Sequence, residues 1–217
     1  MSSFYKKHQP ATFNEVAGHD SAKRKLVTLN KSCGLKGQVF WFTGESGTGK
    51  NTLAEIIARI VSPEASCRYD VDAQDVTLDL LREWETKAKR GSLFGGYCFT
   101  INEAHGMSSK VVSRLQTLLE DDDVQANSTW IFTTTFQGEA RLFDSRMDAC
   151  PFLSRAISIR LELDEKTAMA MAERLLSIAR SEELDGKPID DYVKLLTECN
   201  FNMRQALQRI ACGEMLD

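Results

Sequence analysis

Apolar positions along the chain follow two rhythms, and the switch between them repeats. Gln38 to Thr43 (QVFWFT) is a short apolar run that stops at a glycine, and it predicts a strand. Just beyond it Leu53, Ile56, Ile57, Ile60 and Val61 recur at i, i+3, i+4, i+7 and i+8, the spacing of one face of a helix. A second apolar run, Tyr97 to Ile101, leads through a polar pair into a predicted helix from Ser108 to Glu120 that carries Val111, Val112, Leu115, Leu118 and Leu119. Thr129 to Phe136 (TWIFTTTF) is rich in β-branched and aromatic residues, and Ala156 to Leu163 (AISIRLEL) alternates; both predict strands. Strands separated by helical stretches pair in parallel, because each crossover must cover a face of the sheet. The expectation is a three-layer α/β domain.

After Leu163 the strand signals stop. Three amphipathic stretches follow, Glu165 to Leu184, Ile189 to Cys199 and Asn202 to Leu216, with the turn residues Asp185, Gly186 and Pro188 ending the first. This divides the chain into an α/β unit at 1–163 and a small all-helical unit at 164–217. The acidic run Glu120 to Asp123 reads as the end of a helix in a solvated loop.

Composition narrows the class. A chain of 217 residues that is 42% hydrophobic and 27% charged can bury a core and is not a disordered segment. No run of eighteen apolar residues occurs and the polar start at Met1 to Pro10 is no secretory signal, so a cytoplasmic location with no membrane attachment is expected. The six cysteines, Cys33, Cys67, Cys98, Cys150, Cys199 and Cys212, stand far apart without a CxxC pair, which argues against zinc and against a disulfide frame. A net charge of −4 gives no global attraction to nucleic acid, so any contact with DNA needs a local patch or an assembled ring.

The strongest chemical signal is Gly44-Glu45-Ser46-Gly47-Thr48-Gly49-Lys50, a GxxxxGK loop between the first predicted strand and its helix. Its glycines let backbone N–H groups face phosphate oxygens, the lysine reaches the β and γ phosphates, and the helix that follows adds its dipole. Binding of ATP or GTP follows. The next position calls for a Ser or Thr whose hydroxyl ligates Mg²⁺; Asn51 stands there, with Thr52 one residue late. The second apolar strand ends in Asn102-Glu103, where a P-loop ATPase usually carries Asp-Glu, the first acid near the metal and the second acting on the attacking water. Asn51 and Asn102 are therefore the metal-ligand candidates, and Glu103 the candidate general base, with a helix-start residue as its plainer reading.

Taken together, these segments resemble the AAA+ clamp-loader family, which includes the replication factor C small subunits and the bacterial polymerase III gamma/tau subunit, over nearly the whole length. Tyr5 to His19 (YKKHQPATFNEVAGH) is similar to the family's YRPxxFxEVxGQ segment, which implies that it wraps the adenine. Asn102 to Ser108 (NEAHGMS) resembles the DEAHxLS signature. Leu153-Ser154-Arg155 is similar to the SRC box, with Ala156 in place of its cysteine, which implies an arginine finger at Arg155 reaching a neighbour's nucleotide. Asn202 to Leu207 (NMRQAL) resembles GDMRxAL, which implies that Arg204 senses the γ-phosphate. Thr135 occupies the place of the sensor Asn at the end of the third strand, and His8-Gln9 replace Tyr-Arg.

The resemblance implies a P-loop ATPase with ATP and Mg²⁺ as cofactors, working in a homo- or hetero-oligomeric ring on a sliding clamp and primed DNA. Ser108, Ser109, Lys110 and Arg114 would offer donors to DNA phosphates, a solvated helix face being the other reading of the same residues. The resemblance also implies a helical collar that holds family rings together; the sequence given stops after the lid, so the expectation is either a truncated chain or assembly by another route. With Asn51, Asn102 and Thr135 all departing from pattern, two readings stand: an ATPase subunit with weakened hydrolysis that serves clamp loading in replication, or a nearly silent subunit that binds nucleotide and lends Arg155 to a neighbour. Remodelling of another protein or DNA complex is a further AAA+ role.

Overall fold

The computed structural model describes residues 4–93, 95–145 and 154–216; Cys150 and Leu153, the latter opening the SRC-like box, lie outside the described residues. Five parallel strands form one sheet in the order β2-β3-β4-β1-β5: β1 Val39–Gly44, β2 Arg68–Asp72, β3 Tyr97–Asn102, β4 Ser128–Thr134 and β5 Ile157–Leu161. β1 is buried at all six positions because strands flank it on both sides and helices cover both faces.

The period-2 alternation of the strands feeds two cores. Trp41, Phe99, Ile101, Trp130 and Phe132 point to one side and Phe40, Phe42, Cys98, Ile131 and Ile159 to the other. The helices are α1 Phe4–Lys7, α2 Asp20–Ser32, α3 Lys50–Val61, α4 Leu78–Arg90, α5 Ser109–Leu118, α6 Asp122–Asn127, α7 Phe136–Ser145, α8 Glu165–Ser181, α9 Ile189–Glu198 and α10 Met203–Ala211. The first core is closed by α4 and α5 and is centred on aromatic rings, with Trp84 of α4 4.8 Å from Phe99 and Phe99 4.6 Å from Trp130. The second is closed by α2 and α3, where Leu53, Ile56, Ile57 and Val61 are buried as their spacing predicts. Ile60, at the margin of that stripe, is exposed instead.

The last three helices enclose a third core of their own, built on Met171, Leu175, Ile178, Tyr192, Leu195 and Leu207. Phe4 and Tyr5, from the first turn of the chain, pack against it. Among the described residues no helix is long and apolar enough to cross a membrane.

Several boundaries differ from the sequence reading. β2 was not expected at all: RYDVD carries three charged side chains in five residues, and only an edge strand, with one side open to water, accommodates that. The third expected strand ends at Thr134, and Phe136 opens α7. The acidic run starts a helix: Asp121 accepts hydrogen bonds from the N–H groups of Asp123 and Val124 and caps α6.

Candidate functional site

The C-terminal ends of β1 and β3 open onto a cleft of about 240 Å³ walled by three parts of the chain. The loop between β1 and α3 forms the floor, Tyr5, His8, Pro10 and Val16 line one side, and Arg174, Asn202, Arg204 and Leu207 of the helical unit line the other. The sequence sets the loop locally. Gly47 and Gly49 sit at φ +82° and +100°, values that side-chain-bearing residues rarely adopt, and Gly49 caps α3 from that conformation. Residues 46 to 52 all face the cleft, with Thr48, Lys50 and Thr52 buried and Asn51 exposed on the first turn of α3.

Lys50 is only 5% exposed, and its Nζ donates to the carbonyl oxygens of Gly44 at 2.7 Å and Glu45 at 2.8 Å. Burial pulls its pKa down while the carboxylates of Glu103 and Glu45 push it back up. The ammonium is thus a desolvated cation beneath a rim of backbone N–H groups, an arrangement suited to phosphate oxygens.

Glu103 follows β3 in a left-handed conformation, φ +50°, which is costly for a residue with a Cβ. That twist leaves its carboxylate on the cleft wall, near enough to act electrostatically on Lys50 and 3.5 Å from His105 Nδ1. Asn102 is held between two strands: its Nδ2 donates to Asp70 Oδ1 of β2 at 2.6 Å, and its Oδ1 accepts from Thr133 Oγ1 of β4 at 3.1 Å. The amide orientation is fixed by these partners, since the carboxylate can only accept. Of the candidate metal ligands Asn51 lines the cleft, together with the Glu103 carboxylate and the Thr52 hydroxyl, all hard oxygen donors of the kind that suit Mg²⁺, whereas Asn102 is not among the lining residues.

Arg204 lies in the cleft with its guanidinium 4.9 Å above the Tyr5 ring, a cation–π contact joining the start of the chain to α10. Asn202 caps α10 by accepting from the N–H groups of Arg204 and Gln205. His19 buries its ring behind the loop and donates from Nε2 to the Thr48 carbonyl at 3.0 Å.

Two stretches of sequence relate this architecture to known proteins. The chain is 38% identical over 60 residues to the DNA polymerase III subunit gamma/tau of Mycoplasma genitalium, 27% of this chain and 10% of that protein. It is 32% identical over 117 residues to the replication factor C large subunit of Sulfurisphaera tokodaii, 49% of this chain and 25% of that protein. The fold superposes on a RuvB variant of Thermotoga maritima with a TM-score of 0.68 at 22% identity, over 94% of this chain and 64% of that one. These matches make the chain clamp-loader-like in sequence over up to about half its length, on a fold shared with the RuvB variant. The replication initiator DnaA, in a structure bound to AMPPCP and single-stranded DNA, shares the fold at a TM-score of 0.65 and 16% identity, over 95% of this chain and 65% of that one. No protein-family model matches the chain, and the chain spans about a quarter or less of the curated relatives it matches.

Not every candidate residue gathers at the cleft. Residues of the loop, Lys50 to Thr52, Glu103 and Arg204 do. Arg155 does not line it; the side chain forms an ion pair with Glu120 beyond the end of α5. Thr135 spends its hydroxyl accepting from Gly138 N at 3.0 Å in the first turn of α7, while Thr133, one pleat back on β4, is the threonine that touches Asn102. Ser108 caps α5, Ser109 and Lys110 are exposed beside it, and Arg114 is tied to Glu85 of α4. Sequence reasoning missed Asp70, Thr133 and Arg174, and it gave His19, the last residue of the Tyr5–His19 segment, no role of its own. Asp70 was hidden by the unrecognised edge strand, and Thr133 and Arg174 carry no local motif.

Proposed function

We propose that the module binds ATP with Mg²⁺ in this cleft and works as a clamp-loader-like subunit, coupling nucleotide binding and slow hydrolysis to loading of a sliding clamp on primed DNA. The observation that carries this reading is the seat of Lys50, a buried ammonium under a glycine loop at the start of α3, within the field of Glu103. In the mechanism, loop N–H groups and Lys50 hold the β and γ phosphates, and the apolar faces of Val16, Met171 and Leu207 receive the base. Arg204 then approaches the γ end from α10, and Glu103 takes the proton of the attacking water. Asn51 and Asn102 are the residues that would hold Mg²⁺, which would supply charge neutralisation at the phosphate oxygens. The helical unit at 164–217 acts as a lid over the base, and Arg155 serves a neighbouring subunit of an oligomeric ring.

The grip of Asp70 and Thr133 on Asn102 favours a second reading, in which hydrolysis is nearly silent and the subunit mainly lends its arginine, because both ends of that amide are already engaged. Titration of the protein with a fluorescent ATP analogue tests the site. Lys50→Ala is expected to abolish binding in a folded protein; unchanged affinity would sink the nucleotide reading. ATP turnover with and without primed DNA then separates the two forms, since DNA-stimulated turnover belongs to the first alone.

A further inference from the structure

Arg174 of α8 lines the cleft and carries a donor that the protein itself does not satisfy. Met171 and Ile178, three residues before it and four after it, line the same cleft, so Arg174 stands in the middle of the face that α8 turns toward it. Its Nε is buried and, among the described residues, has no hydrogen-bond acceptor. A buried N–H on a charged group is costly to leave without one. The Glu15 carboxylate, also on the cleft wall, feels the charge of Arg174, but its oxygens accept from Ala11 N at 2.9 Å and from the Thr12 hydroxyl at 2.8 Å. Those two contacts hold the Glu15 carboxyl below its usual range more than Arg174 does.

The two ends of the cleft differ in kind. At one end stand the phosphate loop and Lys50, and the start of α10 joins them there, because Asn202 lies against Gly47. Arg174 belongs to the other end, flanked on α8 by the buried side chains of Met171 and Ile178 and faced by Glu15, the neighbour of Val16. Apolar walls of that sort suit a flat ring and not a phosphate. An arginine can only donate, and the ring nitrogens of adenine accept. We propose that Arg174 is a base-binding residue whose guanidinium donates to a ring nitrogen of the adenine of ATP, the acceptor that its buried Nε lacks within the protein; this rests on the nucleotide-site reading above. The two cleft arginines of the helical unit then divide the work. Arg204 meets the γ end, which ADP lacks, whereas Arg174 meets a part that ATP and ADP share and keeps α8 on the nucleotide after hydrolysis.

The other reading is that Arg174 lays its stem along the cleft wall and serves only the fold. Isothermal titration of the full chain with ATP, ADP and 2′-deoxy-ATP, together with urea unfolding of the unliganded protein, separates the two. Arg174→Met keeps an unbranched apolar stem and removes the donors. It should weaken all three nucleotides alike, by about 10-fold or more, the scale of a hydrogen bond to a charged group. Unliganded stability should not fall, because the donor removed had no acceptor in the protein. Parent-like affinity for all three nucleotides, with or without a fall in stability, overturns the proposal. So does a loss confined to ATP, which would place Arg174 at the γ end, or a loss that disappears with 2′-deoxy-ATP, which would place it on the ribose. Should Arg174→Met fail to fold, Arg174→Lys carries the same test with the same expected and overturning results, since it keeps the charge and lacks the planar fork. Lys50→Ala, run alongside, keeps two failures apart: if it binds ATP as the parent does, the site itself is wrong and both readings fall, whereas if it abolishes binding and Arg174→Met changes nothing, only the role of Arg174 falls.

Discussion

Gly47 of the phosphate loop presses against Asn202, the cap of α10, so closely that a Cβ on Gly47 would stand 2.8 Å from the Asn202 Cα. Floor and far wall of the cleft are therefore in backbone contact, and the start of α10 cannot settle independently of the loop. Gly47→Ala combines a left-handed strain of about 1 to 2 kcal/mol with displacement of a cap worth about 1 kcal/mol. Gly49, also at positive φ, has nothing within 4 Å of its Cβ direction, so Gly49→Ala carries the strain alone. Urea unfolding should show Gly47→Ala the less stable of the two, and analogue titration should show its affinity falling further. Equal losses would mean that the contact with Asn202 does not matter.

Acid should weaken the fold through His19. Burial holds its pKa below 6.5, with Lys23 adding to the depression and the Thr48 carbonyl, Asp164 and the Glu162 backbone opposing it. A histidine kept neutral in the fold but free to protonate when unfolded gives stability that is complete above about pH 6.5 and declines as pH falls from there toward the folded pKa. The limit is about 1.4 kcal/mol per pH unit for one proton. His19→Asn, which tolerates the left-handed φ of 52°, should flatten the slope of unfolding free energy between pH 5 and 6.5. An unchanged slope would assign the acid sensitivity to other groups.

Much of the fold was legible because the residues that set it act locally. The phosphate loop needs only glycines before a lysine at fixed spacing, and the buried strands VFWFTG and STWIFTT announce themselves by β-branched and aromatic content. β2 stayed hidden because an edge strand needs little apolar content, and with it went Asp70, whose meaning depends on a partner 32 residues away in sequence. Thr133 lies on β4 whereas Thr135 falls just past its end in the turn into α7, and no linear pattern marks that boundary. The same limit applies to Arg204 and Tyr5, which meet across nearly the full length of the chain.

Arg155 should act across a subunit boundary. Within its own chain it pairs with Glu120 and does not line the cleft, and an ion pair between partly exposed groups is worth about 1 kcal/mol or less. A finger supplied in trans stabilises transition-state charge and is worth about 10³ to 10⁵ in rate where the rest of the site is intact. With amides at Asn51 and Asn102, metal placement limits the rate first, so Arg155→Ala should lower turnover by less than that range while leaving analogue affinity unchanged. Mixing decides the geometry. In a mixture of Arg155→Ala and Lys50→Ala proteins, an interface that joins an intact Lys50 to an intact Arg155 still forms, and turnover should partly recover over either variant alone. Recovery requires that the two residues serve one site from different chains. If both variants assemble and mixing restores nothing, Arg155 has no role in trans and its pairing with Glu120 is structural.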